Sequence, residues 1–461
     1  MAIIGSFIVP HPPMIIPDVG KGDEKQIEKT ISSYEKIASE IAELKPDTII
    51  ISSPHAKAYS DYFCLLDGEK VSGNFSDFRA NNVSFNEDND IELIECIEKL
   101  AGERGFPCGR VNTAPRKLDH GSMVPLYFIR KQYSNFKIIV IGLSGLSLIE
   151  HYACGMLIND AVNSLDRKCV WVASGDLSHT LQDYGPYGFN ENGPIYDNKI
   201  IDICSSGDFL KLIEMDDSFL NSASECGHRS FVMMSGAFDG IDVDSKFYSH
   251  EDVTGVGYGI FSFYPKEKNT KRYFLDKYLN NLENKIIDDV NNSDEYARFA
   301  RTVINDYVID GSAFYDKNNV DKELIENTGG VFVSIHKFGM LRGCIGTTSP
   351  IYDSLADEIL NNAISACSND PRFAPVTSDE LKWLEINVDV LGKSEKVKSL
   401  DELDPKVYGV IVTSGNKRGV LLPDLDGVDT VDEQLSIAKR KAGISDYEDI
   451  QIERFKVVRH R

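Results

Sequence analysis

The chain has 461 residues, 42% hydrophobic and 26% charged, which suffices for two or three ordinary cores and excludes a disordered or fibrous class. Its formal net charge of -23 is spread over both halves, so bulk charge argues against nucleic acid as a partner and favours cations, metal ions included. The start lacks the basic region and cleavage site of a signal peptide and no apolar run is long enough to span a bilayer. Nine cysteines without a Cys-x-x-Cys pair argue against a disulfide framework, so a cytoplasmic protein with reduced thiols is expected.

Residues 2 to 9 are nearly all apolar, as in a strand covered on both faces. From Asp23 to Leu44, the apolar Ile27, Ile31, Tyr34, Ile37, Ala38 and Ile41 recur at helical spacing. "DTIIISSPH" predicts a second buried strand at 48 to 52, and the order strand, helix, strand predicts a crossover between two parallel neighbours. The pattern returns in "FKIIVIGLS" and "CVWVASGDLSH", separated by a helical stretch from Leu148 to Leu165. "SECGHRSFVMMSGAFDG" predicts a helix starting near Glu225, and "FYSHEDVTGVGYGIFSFY" predicts two strands around a turn. Residues 1–265 therefore read as an α/β domain, a mainly parallel sheet flanked by helices. At 264–273, Pro265 and mixed charges predict a linker.

Beyond the linker the pattern is α+β, over 272–461. It predicts a helix around Asp294 to Val308, then "GGVFVSIHKFGMLRGCIG" as strand, Phe-Gly turn, strand. A helix from Tyr352 to Cys367 follows, then the strands of "LEINVDVLG" and "YGVIVTSGNKRGVLLP", the helix "VDEQLSIAKRKAG" and a closing strand "IQIERFKVV".

His11 and His55 each lie just past a predicted strand, where ligands of open α/β sheets bind. Taken singly, each is a loop histidine beside a turn-forming proline. Their matched placement instead predicts two imidazoles converging on one ion, held stiffly by Pro10, Pro12 and Pro54. A ferrous site of the two-histidine, one-carboxylate type needs an acid beside them. Glu225 is the first candidate, with a helix-start role as its alternative; Cys226 is the other candidate ligand and would make a softer site. His120 beside Asp119, and His179 three residues after Asp176, are candidate acid/base groups. In the second half, Cys344 near Arg342 is a candidate thiol of lowered pKa, against the alternative of a core residue with Arg342 pairing an acid. Asp370 and Arg372 are candidates for an anion-binding groove there.

Five ordered motifs, "VPHPP", "SPHA", "LDHGSMVPL", "SGDLSH" and "ECG", resemble the class III extradiol ring-cleavage dioxygenases and their Memo-like relatives over about residues 1 to 265. That resemblance implies Fe(II), or another divalent metal, on His11, His55 and Glu225, with His179 and His120 as acid/base and orienting groups. It also implies a catechol-like diol and dioxygen as substrates. Memo-like relatives can carry cysteine where the dioxygenases carry the acidic ligand, and this chain has both types side by side. The second half resembles the AMMECR-type domain through "GGVFVSIHKFGMLRGCIG" and "DPRFAPV". The fusion resembles a component of the AmmeMemoRadiSam system, which implies a radical S-adenosylmethionine protein as partner. A noncatalytic metal-binding scaffold is the alternative reading.

Overall fold

Residues 48–53 have no exposed position on either face, and neither have 169–174, so both strands must be roofed by helices on two sides. The computed structural model describes residues 3–113, 116–425 and 427–461. The chain forms two compact units, Met1–Leu279 and Asn280–Arg461. Ala2, placed by the apolar pattern in the first strand, lies outside the described residues.

The strands of the first unit are β1 Ile3–Val9, β2 Thr48–Ser53, β3 Phe63–Leu65, β4 Lys70–Phe75, β5 Ala80–Asp88, β6 Cys108–Arg110, β7 Lys137–Gly142, β8 Cys169–Ser174, β9 Ile241–Glu251 and β10 Tyr258–Lys268. Eight of them form one sheet in the order β6, β3, β7, β2, β8, β1, β10, β9. The central β7, β2, β8 and β1 are parallel, and β10 and β9 close one edge antiparallel. Side-chain alternation divides the core. Phe7, Val9, Ile49, Ile51, Val170 and Val172 face the helices Glu28–Leu44 and His120–Arg130, through Tyr34, Ile37, Ile41 and Val124. Trp171, equally buried, points to the other face, where its Nε1 donates to Ser52 Oγ at 3.0 Å.

Three expectations change. β1 and β2 are not neighbours, because β8 inserts between them. The helix expected near Glu225 begins at His228, after a turn. The stretch read as a linker is strand for half its length: β10 continues through Pro265 to Lys268. Its pairing with β1 stops at Phe263, so past that point it is a two-stranded ribbon that tolerates proline.

The second unit holds β11 Gly330–Lys337, β12 Met340–Gly346, β13 Leu384–Leu391, β14 Glu395–Lys396, β15 Gly409–Ser414, β16 Lys417–Leu421, β17 Gln451–Phe455 and β18 Val457–His460. They make two antiparallel sheets, ordered β12, β11, β13, β18 and β14, β17, β15, β16. The Phe-Gly turn forms as expected, with Phe338 at φ 54° and Gly339 at φ 78°. The single closing strand expected from "IQIERFKVV" is two strands, β17 and β18, which belong to different sheets. The helices Glu295–Asp310 and Leu355–Ser368 cover one face of the first of these sheets. Among the described residues, no helix is long and apolar enough to cross a membrane.

Candidate functional site

His11 follows the end of β1 and is only 2% exposed. Its backbone N–H donates to Asp176 Oδ1 at 2.8 Å, and its Nδ1 lies 2.9 Å from Ser174 Oγ. The Ser174 hydroxyl hydrogen is committed to the Gly121 carbonyl at 2.6 Å. Ser174 Oγ must therefore accept from Nδ1–H, which leaves His11 Nε2 with a free lone pair. That nitrogen is 3.0 Å from His55 Nε2 and 3.6 Å from Cys226 Sγ. The two histidines meet although β8 separates their strands, because both loops bend over its end.

Cys226 reaches this point through a backbone contact. A Cβ built on Gly175, just past β8, would lie 2.1 Å from Gly227 Cα, so only glycine permits the approach. The same approach lets Asp176 N–H donate to Cys226 Sγ at 3.3 Å. The ligand atoms of His11, His55 and Cys226 all lie within 4.8 Å of one another, and so do those of Asp176, His179 and Cys226.

Glu225 is not brought to this cluster. Its carboxylate accepts the His228 N–H at 2.5 Å, at the start of the helix His228–Gly236, where the partial positive charge of the helix end favours an acid. Burial nevertheless pushes its carboxyl up to about 7, against the lowering effect of that N–H and of Arg229.

His120 is the first residue of the helix His120–Arg130, not a loop residue, and Asp119 is that helix's N-cap, accepting from Ser122 N–H at 3.1 Å. Its ring lies 4.0 Å from that of His55. His179 packs against Tyr187 at 5.1 Å between ring centroids, and its Nε2 is buried without a hydrogen-bond partner. Burial, and then neighbouring imidazoles, lower all of these rings: His11 far below its ordinary value by burial, then His55, His120 and His179; His120 to about 4 by burial and then His55; His179 to about 4 by the same two causes. Burial also lowers His55, against the opposing charge of Asp119. The cluster is thus a set of neutral imidazoles with lone pairs to give. Asp176, buried, is pushed up to about 7 by that burial, against the pull of the His11 N–H.

A single cation would satisfy the converging His11 and His55 nitrogens and the Cys226 sulfur together, so the donors present fit a metal. Beside them a cavity of about 480 Å³ is lined by His55, Lys57, Phe78, His120 and Met123, among others. Sequence reading missed Ser174 and Gly121, which set the His11 tautomer, and the role of Asp176 as acceptor of the His11 N–H. Only Asp176 had a signal, its place inside "SGDLSH". His151, His228 and His250 are spent on structure: His151 on the Ser147 carbonyl, His228 on the Leu212 carbonyl and Tyr196, and His250 on Asp197.

In the second unit, Arg342 does not touch Cys344. It clamps Glu380 through two hydrogen bonds of 3.0 and 2.9 Å and the carbonyls of Ala374 and Pro375. The cations beside Cys344 are Arg372 and Lys441, and burial raises that thiol rather than lowering it. Arg342→Ala should destabilise the second unit by about 1–3 kcal/mol in denaturant titration, because Glu380, 9% exposed, loses its bidentate partner and keeps Lys337 and the Thr377 N–H. Burial would raise Glu380, but Arg342, Lys337 and the Thr377 N–H outweigh it and hold the carboxyl at about 2, below its ordinary 4.5. The clamp's contribution is therefore complete above about 4.5 and fades as pH falls toward about 2. The variant and the wild type should converge in stability over that window.

The model of the catalytic LigB subunit of aromatic ring-opening dioxygenase matches residues 5–261, and the AMMECR1 model matches 297–460. Protein CA_C1420 of Clostridium acetobutylicum is 42% identical, the match covering 100% of both chains. A Thermotoga maritima protein is 50% identical over 36% of this chain and 97% of its own. Among solved structures, the uncharacterized protein PH0010 of Pyrococcus horikoshii is 29% identical, covering 36% of this chain and 88% of its own, with a TM-score of 0.34. With converging imidazoles at the sheet's carboxyl end and a family match across more than half its length, the chain belongs to the family of the catalytic LigB subunit of aromatic ring-opening dioxygenases, here joined to an AMMECR1 domain.

Proposed function

We propose that the first unit is a metal-dependent oxidoreductase of the extradiol type, holding one divalent ion through His11, His55 and Cys226 and taking a small catechol-like diol and dioxygen. The observation that carries this is the 3.0 Å approach of His11 Nε2 and His55 Nε2 with Cys226 Sγ 3.6 Å from the former. Fe(II) is the ion the family favours, and a set of two nitrogens and one sulfur also accepts zinc or copper. Bound there, a redox-active ion supplies Lewis acidity to the substrate and an electron path to dioxygen.

The chain's own groups do the rest. The cavity beside His55 has room for one aromatic ring, with Phe78 and Met123 as apolar walls. His120, its ring 5.3 Å from that of Phe78, is placed to hydrogen-bond a substrate hydroxyl. A neutral His179, its Nε2 unpartnered, is placed to accept a proton from the diol and return it. On this reading His179→Ala keeps the metal and loses about 10²–10⁴ in turnover. An oxygen electrode with a panel of catechols, run beside metal analysis, checks it; loss of metal in that variant would make His179 a ligand instead.

The thiol favours a second reading. A sulfur where ring-cleaving relatives carry an acid suits a metal-holding scaffold that cleaves no ring, acting with the radical S-adenosylmethionine partner that resemblance implies. Metal-loaded protein that consumes no oxygen with any catechol, yet co-purifies with such a partner, would select this reading.

A further inference from the structure

β11 has two unlike faces. Val331, Val333 and Ile335 enter the core under the helices, and alternation turns Phe332, Ser334 and His336 the other way. On β13, Val388 is core, while Asn387 and Asp389 share the opposite face with Cys344 of β12. That face is covered, since Asp389 is only 2% exposed; Phe332 packs with Val420 and Leu422 on a small core of Leu391, Ile411 and Phe455, but the polar side chains beside it do not close. The face walls a cavity of about 450 Å³, which Val420, Leu422 and Lys441 border from the second sheet and its helix Val431–Ala442.

Four cations line this cavity, Arg372, Lys441, Arg459 and Arg461, against two carboxylates, Asp389 and Asp424. Asp389 is engaged by Arg459 at 2.8 and 3.2 Å. Arg372 has a fixed task as well. It pairs with Asp370 at 2.6 Å and donates to the Cys344 carbonyl at 3.1 Å, while Asp370 accepts the Cys344 N–H at 2.9 Å. The Cys344 peptide is thus gripped from both sides, and its sulfur accepts from Ser334 Oγ at 3.2 Å. Lys441 differs. Its side chain is exposed at the cavity mouth, packing there lowers its ammonium, and it makes no ion pair among the described residues, whereas the neighbouring Lys439 reaches Asp446. An unpaired ammonium lining a partly apolar cavity, in a wall where cations outnumber carboxylates, is a counter-ion site in want of an anion.

We propose that this cavity binds a small organic anion, a carboxylate or a phosphate monoester with a short apolar body, its charge on Lys441 and its body along Phe332 and Cys344. The ligand is held by charge and fit, and Cys344 serves as a wall that reports on occupancy.

The reporter supplies the test. In the full chain, Cys344 and the partly exposed Cys96, which belongs to the first unit, are alkylated with anionic iodoacetate and with neutral iodoacetamide, and each thiol is followed by peptide mass spectrometry. The iodoacetate-to-iodoacetamide rate ratio at Cys344 is expected to exceed that at Cys96 by about tenfold. Millimolar inorganic phosphate should slow iodoacetate at Cys344 and leave Cys96 alone. Lys441→Gln should bring the Cys344 ratio down to that of Cys96 while its iodoacetamide rate stays within about twofold of wild type, the sign of an intact cavity. Equal ratios at the two thiols in the wild type would overturn the proposal, and so would a Cys344 ratio unmoved in Lys441→Gln with a normal iodoacetamide rate. Should that variant misfold, phosphate protection of the wild type decides alone, and no protection overturns it.

Discussion

Cys226→Ala should lower bound divalent metal from about one ion per chain to about a tenth of that, and Glu225→Gln should leave it near one. The two residues are neighbours in sequence and opposite in placement. Cys226 Sγ lies 3.6 Å from His11 Nε2, whereas the Glu225 carboxylate is bound to the His228 N–H at 2.5 Å and faces a helix end. His11→Ala and His55→Ala should match the cysteine variant, because removing any one of three ligands breaks the chelate. Glu225→Gln should also leave stability at neutral pH within about 1 kcal/mol of wild type, because burial holds the acid at about 7 and the amide oxygen still accepts the His228 N–H. Metal analysis after anaerobic purification, with thermal melting of the same samples, separates the outcomes. Metal retained in Cys226→Ala and lost in Glu225→Gln would return the ligand role to the acid.

Gly175→Val should cost the first unit about 3 kcal/mol, the upper range for overpacking, and abolish metal binding with it. The added Cβ would meet Gly227 Cα at 2.1 Å and the Phe231 ring at 3.1 Å, so the turn bearing Cys226 must move away from the end of β8. Nothing flexible lies at the nearest point of contact, since that point is backbone. The melting midpoint of this unit should fall by roughly 6–12 °C. Gly102→Ala is the control. It lies in the helix Ile91–Arg104 with nothing within 4 Å of its Cβ, and should stabilise by about 0.5–1 kcal/mol without touching the metal. A Gly175→Val protein that melts and binds metal as wild type does would mean that the backbone approach does not position the thiol.

The parts of this fold legible in sequence were those with a strong period or a strong stop. β1, β2, β7 and β8 announce themselves as short apolar runs, and the helix Leu148–Ser164 by its length between two of them. The hairpin β11–β12 was legible because the glycine of Phe-Gly, between two apolar runs, suits a two-residue turn; Phe338 takes a positive φ that bulky residues seldom adopt. Strand order was not legible. Nothing local in "FIVPH" or "IIISSPH" says that β8 will lie between them, since that follows from long-range packing. The short helices after residue 190 and the β4–β5 ribbon carry weak periods and escaped notice.

The site divides the same way. His11 and His55 could be paired from sequence because each ends a strand beside a proline. Glu225 and Cys226 could not be separated, because one residue's step at a turn decides which side chain faces the sheet end. That choice is made by Gly175 meeting Gly227, a contact 52 residues apart in sequence that no window reveals. Arg342 misled for a related reason: on β12 it stands two residues from Cys344, but Glu380, distant in sequence, claims its guanidinium.

X-ray absorption at the metal edge of the natively loaded protein tests the central claim most directly. A site built by His11, His55 and Cys226 should give one sulfur scatterer at about 2.3 Å and two imidazole nitrogens at about 2.0–2.1 Å, with the sulfur absent in whatever metal Cys226→Ala retains. A shell of nitrogen and oxygen alone, identical in wild type and Cys226→Ala, would contradict it.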